Sequence, residues 1–180
     1  MGVVISLIVY ISYRTEYLDK FYWYLFWVGF FLGLCWELPL SLANEIEIYP
    51  PARFMTPVPL SAPFSIFVIA ITHSLWDGGL FLLGAWFINL ICKKPYFDKF
   101  KWSELSILIV FGQVSELIVE LVSSLNRGWE YIVYWWNPRL FVFNNHDITL
   151  LPQLIWLVAP IVFYFFALKL KMQFPNIQST

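Results

Sequence analysis

Four stretches of the chain run almost unbroken in apolar residues: Phe21–Ala43, Phe64–Cys92, Ser103–Leu125 and Ile148–Leu168. Each reaches or exceeds the roughly 20 residues that a helix needs to cross a bilayer. A fifth stretch, Gly2–Tyr13, is apolar but short. It reads best as a retained, short first span, since no small-residue cleavage motif follows it; an interfacial segment or a signal-like start stays open. The connections break the pattern for identifiable reasons. Arg14–Lys20 is a short charged turn, and Lys93–Lys101 is basic. Asn44–Pro63 carries Pro50, Pro51, Pro57, Pro59 and Pro63, which denies it a helix. Asn126–Asp147 holds Gly128, Trp129, Trp135, Trp136 and Pro138, and its aromatics suit the membrane–water boundary. The pattern predicts an all-α, polytopic membrane helix bundle with four full transmembrane helices plus a short N-terminal fifth. It forms a single domain over residues 1–180, with no internal repeat.

Composition sharpens this picture by exclusion. Of the 180 residues, 60% are hydrophobic and 13% charged, against about 45–50% and 25% in soluble domains. A disordered chain, a cytosolic globular domain and a basic nucleic-acid binder are all excluded. The net charge of -1 selects no partner. Cys35 and Cys92 lie in apolar runs and form no CxxC site. The basic residues, however, are unevenly placed. Arg14, Lys20, Lys93, Lys94, Lys99, Lys101, Lys169 and Lys171 fall on one side, and only Arg53, Arg127 and Arg139 on the other. By the positive-inside rule the C-terminus is expected to be cytoplasmic.

The informative positions are the polar exceptions inside the spans, because a charge at bilayer depth costs about 2.5–3.5 kcal/mol on insertion scales. Glu37 follows Gly29 and Gly33 on one face of the second span. His73 and Asp77 lie one turn apart on the third, with Trp76 beside them. Gln113, Glu116 and Glu120 form a stripe on the fourth, and Gln153, Trp156, Pro160 and Tyr164 another on the fifth. Alternating spans run in opposite directions, so most of these residues are expected at similar depth, in the non-cytoplasmic half. Plainer readings stand beside this one. Glu37 can cap a helix end near Pro39, His73 and Asp77 can be a packing pair, Glu120 can reach the interface, and Trp156 can be ordinary core. Gly29 and Gly33 read as close-packing residues.

A pocket lined by such groups suits particular chemistry. His73, oriented by Asp77, can move protons at neutral pH. Glu37 and Glu116 can serve as acid, base or cation stabilisers, and Trp faces attract cations. Trp76, Gln113, Glu120, Gln153, Trp156 and Tyr164 are candidate substrate contacts. No HExxH or HxxxH spacing is present, so neither a metal nor another cofactor is expected. The chemistry fits a carbocation enzyme acting on a lipid. It fits as well a binder of sterols or amphipathic amines, or a small proton-coupled transporter.

The segment QLIWLVAPIVFY (Gln153–Tyr164) resembles the last helix of the emopamil-binding protein family, which includes the sterol Δ8–Δ7 isomerases and belongs to the EXPERA superfamily. Gln153, Trp156 and Pro160 keep that family's amide–Trp–Pro spacing. FLGLCWEL (Phe31–Leu38) is similar to the segment that ends in the family's catalytic Glu, which falls on Glu37. ITHSLW (Ile71–Trp76) and Gly112–Gln113 are similar to further family segments. The family's catalytic His and third-span Glu fall on Gly33 and Ile69. The resemblance covers about residues 21–171. It implies a divergent member: a membrane isomerase of a sterol or isoprenoid, or a non-catalytic sterol-binding or trafficking protein, with membrane terpene cyclases as a related chemistry. It further implies a sterol or other hydrophobic small molecule as partner, and the endoplasmic reticulum membrane if the source is eukaryotic; a homodimer stays open.

Overall fold

The computed structural model describes residues 1–46, 49–55 and 64–173. The fold is an all-α membrane bundle of five helices: α1 (Gly2–Arg14), α2 (Lys20–Ile46), α3 (Phe64–Ile91), α4 (Trp102–Asn126) and α5 (Leu150–Gln173). The last four contain 24 to 28 residues and are apolar enough to cross a membrane. At 1.5 Å per residue they are about 36–42 Å long, more than a hydrocarbon core requires. Large apolar side chains such as Phe67, Val110, Val114 and Val158 stand exposed on their outer faces, as a lipid solvent allows. Helix limits fall within a few residues of the hydropathy limits. The largest difference is at α5, which continues to Gln173 while Ile148 belongs to a strand.

At 13 residues α1 reaches about 20 Å, short of the roughly 30 Å core. It runs alongside α3 in the same direction. Gly2 abuts the Thr72 carbonyl and the Trp76 backbone nitrogen, and Ile5 fills the space over Gly79. The first helix therefore begins part-way along α3 rather than level with its start.

Helices α2 and α3 are antiparallel and closely joined. Their register sets Gly29 against Phe81, Gly33 against Asp77 and Glu37 against His73, one turn at a time. The two glycines let the backbones approach. Gly112 of α4 does the same against α5. Pro160 supplies no N–H, so the Trp156 carbonyl loses its helical donor, and a Cβ at Gly112 would lie 3.1 Å from that oxygen.

One end of the bundle carries a cap that the hydropathy pattern does not foresee. Strand β1 (Ala52–Phe54) pairs antiparallel with β2 (Trp129–Tyr131), and β3 (Arg139–Phe143) pairs with β4 (His146–Thr149). Asn144 and Asn145 make the β3–β4 turn with φ of 49° and 61°, the left-handed region that short hairpins demand. Glu130 ties the ribbons together, accepting hydrogen bonds from Arg53 of β1 and from His146 Nδ1 at 2.6 Å. Of the proline-rich connection, Pro50 and Pro51 are described, whereas Pro57, Pro59 and Pro63 lie outside the described residues.

The opposite end is closed by a polar knot. Glu104 is fully buried. It accepts from the Tyr164 hydroxyl at 3.0 Å, from Lys101 Nζ at 3.2 Å and from the Phe97 backbone N–H at 3.3 Å. The Tyr164 hydroxyl in turn accepts from the Lys101 backbone N–H at 2.8 Å.

Candidate functional site

Between α2, α3, α4 and α5, beneath the strand cap, lies a cavity of about 700 Å³. That volume is within the usual range for a small-molecule site. Glu37, His73, Trp76, Asp77, Glu116 and Trp156 all line it. Six of the ten candidate residues, drawn from four helices, thus share one cavity. Among the described residues, no Lys or Arg side chain lines it.

The antiparallel register decides which acid meets the histidine. His73 Nδ1 lies 3.0 Å from Glu37 Oε2. The expected His73–Asp77 pair is therefore replaced by a His73–Glu37 pair. The two carboxylates sit on different turns of the α2–α3 seam, and Glu37 is the one level with the imidazole. Against an ionised Glu37, Nδ1 is the donor, which leaves Nε2 as the nitrogen that exchanges protons. The Trp129 ring of the cap stands 5.6 Å from the imidazole.

Asp77 is 5% exposed and faces Gly33, where a Cβ would lie 2.7 Å from its Oδ2. That oxygen is buried and has no hydrogen-bond partner among the described residues. A buried carboxyl oxygen left unpaired is costly, and this one is enclosed in the α2–α3 seam against Gly33, while the Asp77 side chain also lines the cavity. Trp36 approaches the same carboxyl and packs edge-on against Trp156, with centroids 6.0 Å apart. Trp156 stacks on Phe81 at 5.2 Å. The acidic floor is thereby walled by aromatic faces that tolerate a cation. Gly33→Ala pushes a methyl group into Asp77. The expected cost is about 1–3 kcal/mol of stability, measured as a lowered thermal midpoint in detergent.

Four candidate contacts stand elsewhere. Gln113 donates to the Gln153 carbonyl at 2.9 Å, and Gln153 Nε2 donates to Glu120 Oε2 at 3.0 Å. This chain ties α4 to the start of α5, and none of the three lines the cavity. Glu120 is 4% exposed, so it does not reach the interface either. Tyr164 is the clearest correction. Eight residues beyond Trp156 on α5, it lies about 12 Å further along the axis and belongs to the Glu104 knot at the other end.

Four aromatic wall residues were missed by sequence reasoning: Trp36, Phe54, Trp129 and Tyr131. Trp36 carries a signal, since it immediately precedes Glu37. Trp129 was expected at the membrane boundary, but β2 turns it over His73. Tyr131 hangs from the same strand. Desolvation, together with Glu116, Glu37, Glu120 and Asp77 around it, holds its phenol well above the ordinary range. It is thus a permanent O–H donor facing a group of acids.

No family model, curated protein or solved structure matches the chain.

Proposed function

We propose that the protein is an integral-membrane isomerase of a sterol or isoprenoid lipid, working by acid–base chemistry through a carbocation. The observation that carries this reading is the cavity itself. It gathers three carboxyl groups and a histidine, walls them with Trp faces and includes no Lys or Arg among its described lining. An acid adds a proton to a double bond, and the resulting cation is held by the remaining carboxylates and the aromatic faces. A base then removes a neighbouring proton. In this scheme His73 is the proton shuttle and Glu37 its partner. Asp77 and Glu116 are acid or cation stabilisers, and Trp156 faces the cation. The resemblance to the emopamil-binding protein family supports the same chemistry. The residue that fills the space against Gly33 is Asp77, so an acid from α3 occupies the level where that family keeps its histidine. The membrane would be that of the endoplasmic reticulum in a eukaryote, with the C-terminus cytoplasmic.

Expression in a yeast strain lacking its sterol isomerase, with sterol profiling by mass spectrometry, tests the proposal. A new isomerised lipid that disappears with the His73→Ala variant supports it. A profile identical to the empty strain, from protein that accumulates in the membrane, counts against it.

The second reading is a non-catalytic sterol or amine binder. Gly33 and Ile69, where the resemblance places acid–base residues, favour it. Saturable sterol binding with no product selects this reading.

A further inference from the structure

The cavity has two chemically different ends, and the helices supply a ruler between them. Ser41, Asn44 and Asn126 line it near the cap. These are neutral hydrogen-bonding groups. Asn44 uses its carbonyl oxygen to accept from the Ala52 backbone N–H at 3.1 Å, which leaves its amide N–H₂ as a donor. At the floor stand two acids, Glu116 and Asp77. On α2, Asn44 is eleven residues beyond Gly33, the position that Asp77 faces. On α4, Asn126 is ten residues beyond Glu116. At the α-helical rise these separations are about 15–17 Å, and two independent helices agree on them. His73 and Glu37 stand between the two ends.

Resting on the carbocation reading above, we propose that this site takes a lipid alcohol whose reacting double bond lies at the far end of the molecule from its hydroxyl. The hydroxyl is held by Asn44, Asn126 and Ser41 under the cap. The terminal isoprene unit then reaches the acidic floor. A ring double bond only a ring or two away from a sterol hydroxyl so held stops at the level of the His73–Glu37 pair, short of Asp77 and Glu116, the acids that deliver the proton to the alkene in this scheme. A double bond in a terminal isopropylidene unit does not. The chemistry balances without a co-reactant. The O–H bond of the floor acid breaks as the alkene π pair forms a new C–H bond, leaving a tertiary cation. A neighbouring base takes a proton from the adjacent carbon, and that C–H pair becomes the shifted double bond. One proton enters and one leaves, and nothing is oxidised or reduced.

The full-length protein in lipid nanodiscs, assayed in deuterium oxide, tests this with two probes. Desmosterol ends its side chain in a trisubstituted alkene. Zymostenol has a saturated side chain and one ring alkene. The expected result is deuterium uptake and a moved double bond in the desmosterol side chain, with zymostenol unchanged. Conversion of zymostenol alone, or of both at similar rates, overturns the ruler and leaves the isomerase reading standing. Conversion of neither overturns both. Asn126→Leu is expected to raise KM for desmosterol roughly tenfold, the equivalent of about 1.4 kcal/mol, with kcat little changed. Ser41→Ala, which removes no hydrogen bond to the cap among the described residues, moves KM in the same direction. Unchanged KM in both variants overturns the assignment of the hydroxyl end.

Discussion

Replacing His73 with Ala, or Glu37 with Gln, is expected to lower turnover by about 10²–10⁴-fold, the usual contribution of a positioned acid or base. The two side chains act as one unit through the 3.0 Å contact between Nδ1 and Oε2. Removing the imidazole deletes the shuttle. Neutralising Glu37 releases the ring from its tautomer and removes the charge that stabilises an imidazolium. Because the pair is a unit, the double variant should be little slower than the worse single one. Both positions line a cavity rather than fill a close-packed core, and the folded protein should extract and elute as the wild type does. Product formation by purified protein, measured beside size-exclusion behaviour, checks this. Full activity in both single variants contradicts the mechanism.

Glu104→Ala is expected to have the largest effect on stability, about 2–5 kcal/mol, because it opens a cavity where a fully buried side chain stood and leaves the Phe97 N–H without its acceptor. The carboxylate is fully buried, and its loss strands the Phe97 N–H, takes from the Tyr164 hydroxyl its shortest acceptor and removes one of the partners of Lys101 Nζ. It also frees the Lys93–Lys101 connection from α4. The knot lies at the end away from the cap. Ligand binding per folded molecule should therefore be unchanged even as the thermal midpoint falls by several degrees. Glu104→Gln keeps an acceptor for Tyr164 and should fall between the two. A midpoint for Glu104→Ala equal to the wild type would mean that the cluster holds nothing together.

These two predictions differ in how far the sequence alone foresaw them. The spans were legible because lipid-facing helices are apolar on all sides, and that signal needs no partner. Glu37, His73, Asp77 and Glu116 were legible as exceptions to it. Which of them pair was not. His73 and Asp77 are one turn apart on α3, and only the α2–α3 register reveals that Glu37 is the residue level with the imidazole. Tyr164 was expected as a substrate contact because it shares a face with Gln153, Trp156 and Pro160, but a shared face does not mean a shared depth, and eight residues carry it to the Glu104 end. Glu104 passed unnoticed as the ordinary start of a span. The cap was hidden because β1 and β2 have three residues each, too few for an alternating pattern to register. Trp129 and Tyr131 therefore looked like boundary aromatics instead of walls.

The pairing of β1 with β2 joins residues 52–54 to residues 129–131, and this separation has a consequence for biosynthesis. At roughly 5–20 residues per second, the ribosome adds the second strand about 4–16 seconds after the first. During that interval α2 and α3 can insert and engage through Gly29 and Gly33, but the acidic groups along their seam have no roof. Their solvation must come from the translocation channel or from water drawn into the bilayer. The cavity closes only when α4 has crossed and returned Trp129 and Tyr131 over His73. A chain stopped between α3 and α4 would carry exposed charge within the membrane, the kind of defect that membrane quality control recognises. Truncation in that window should therefore shorten the protein's lifetime more than truncation after Gln173.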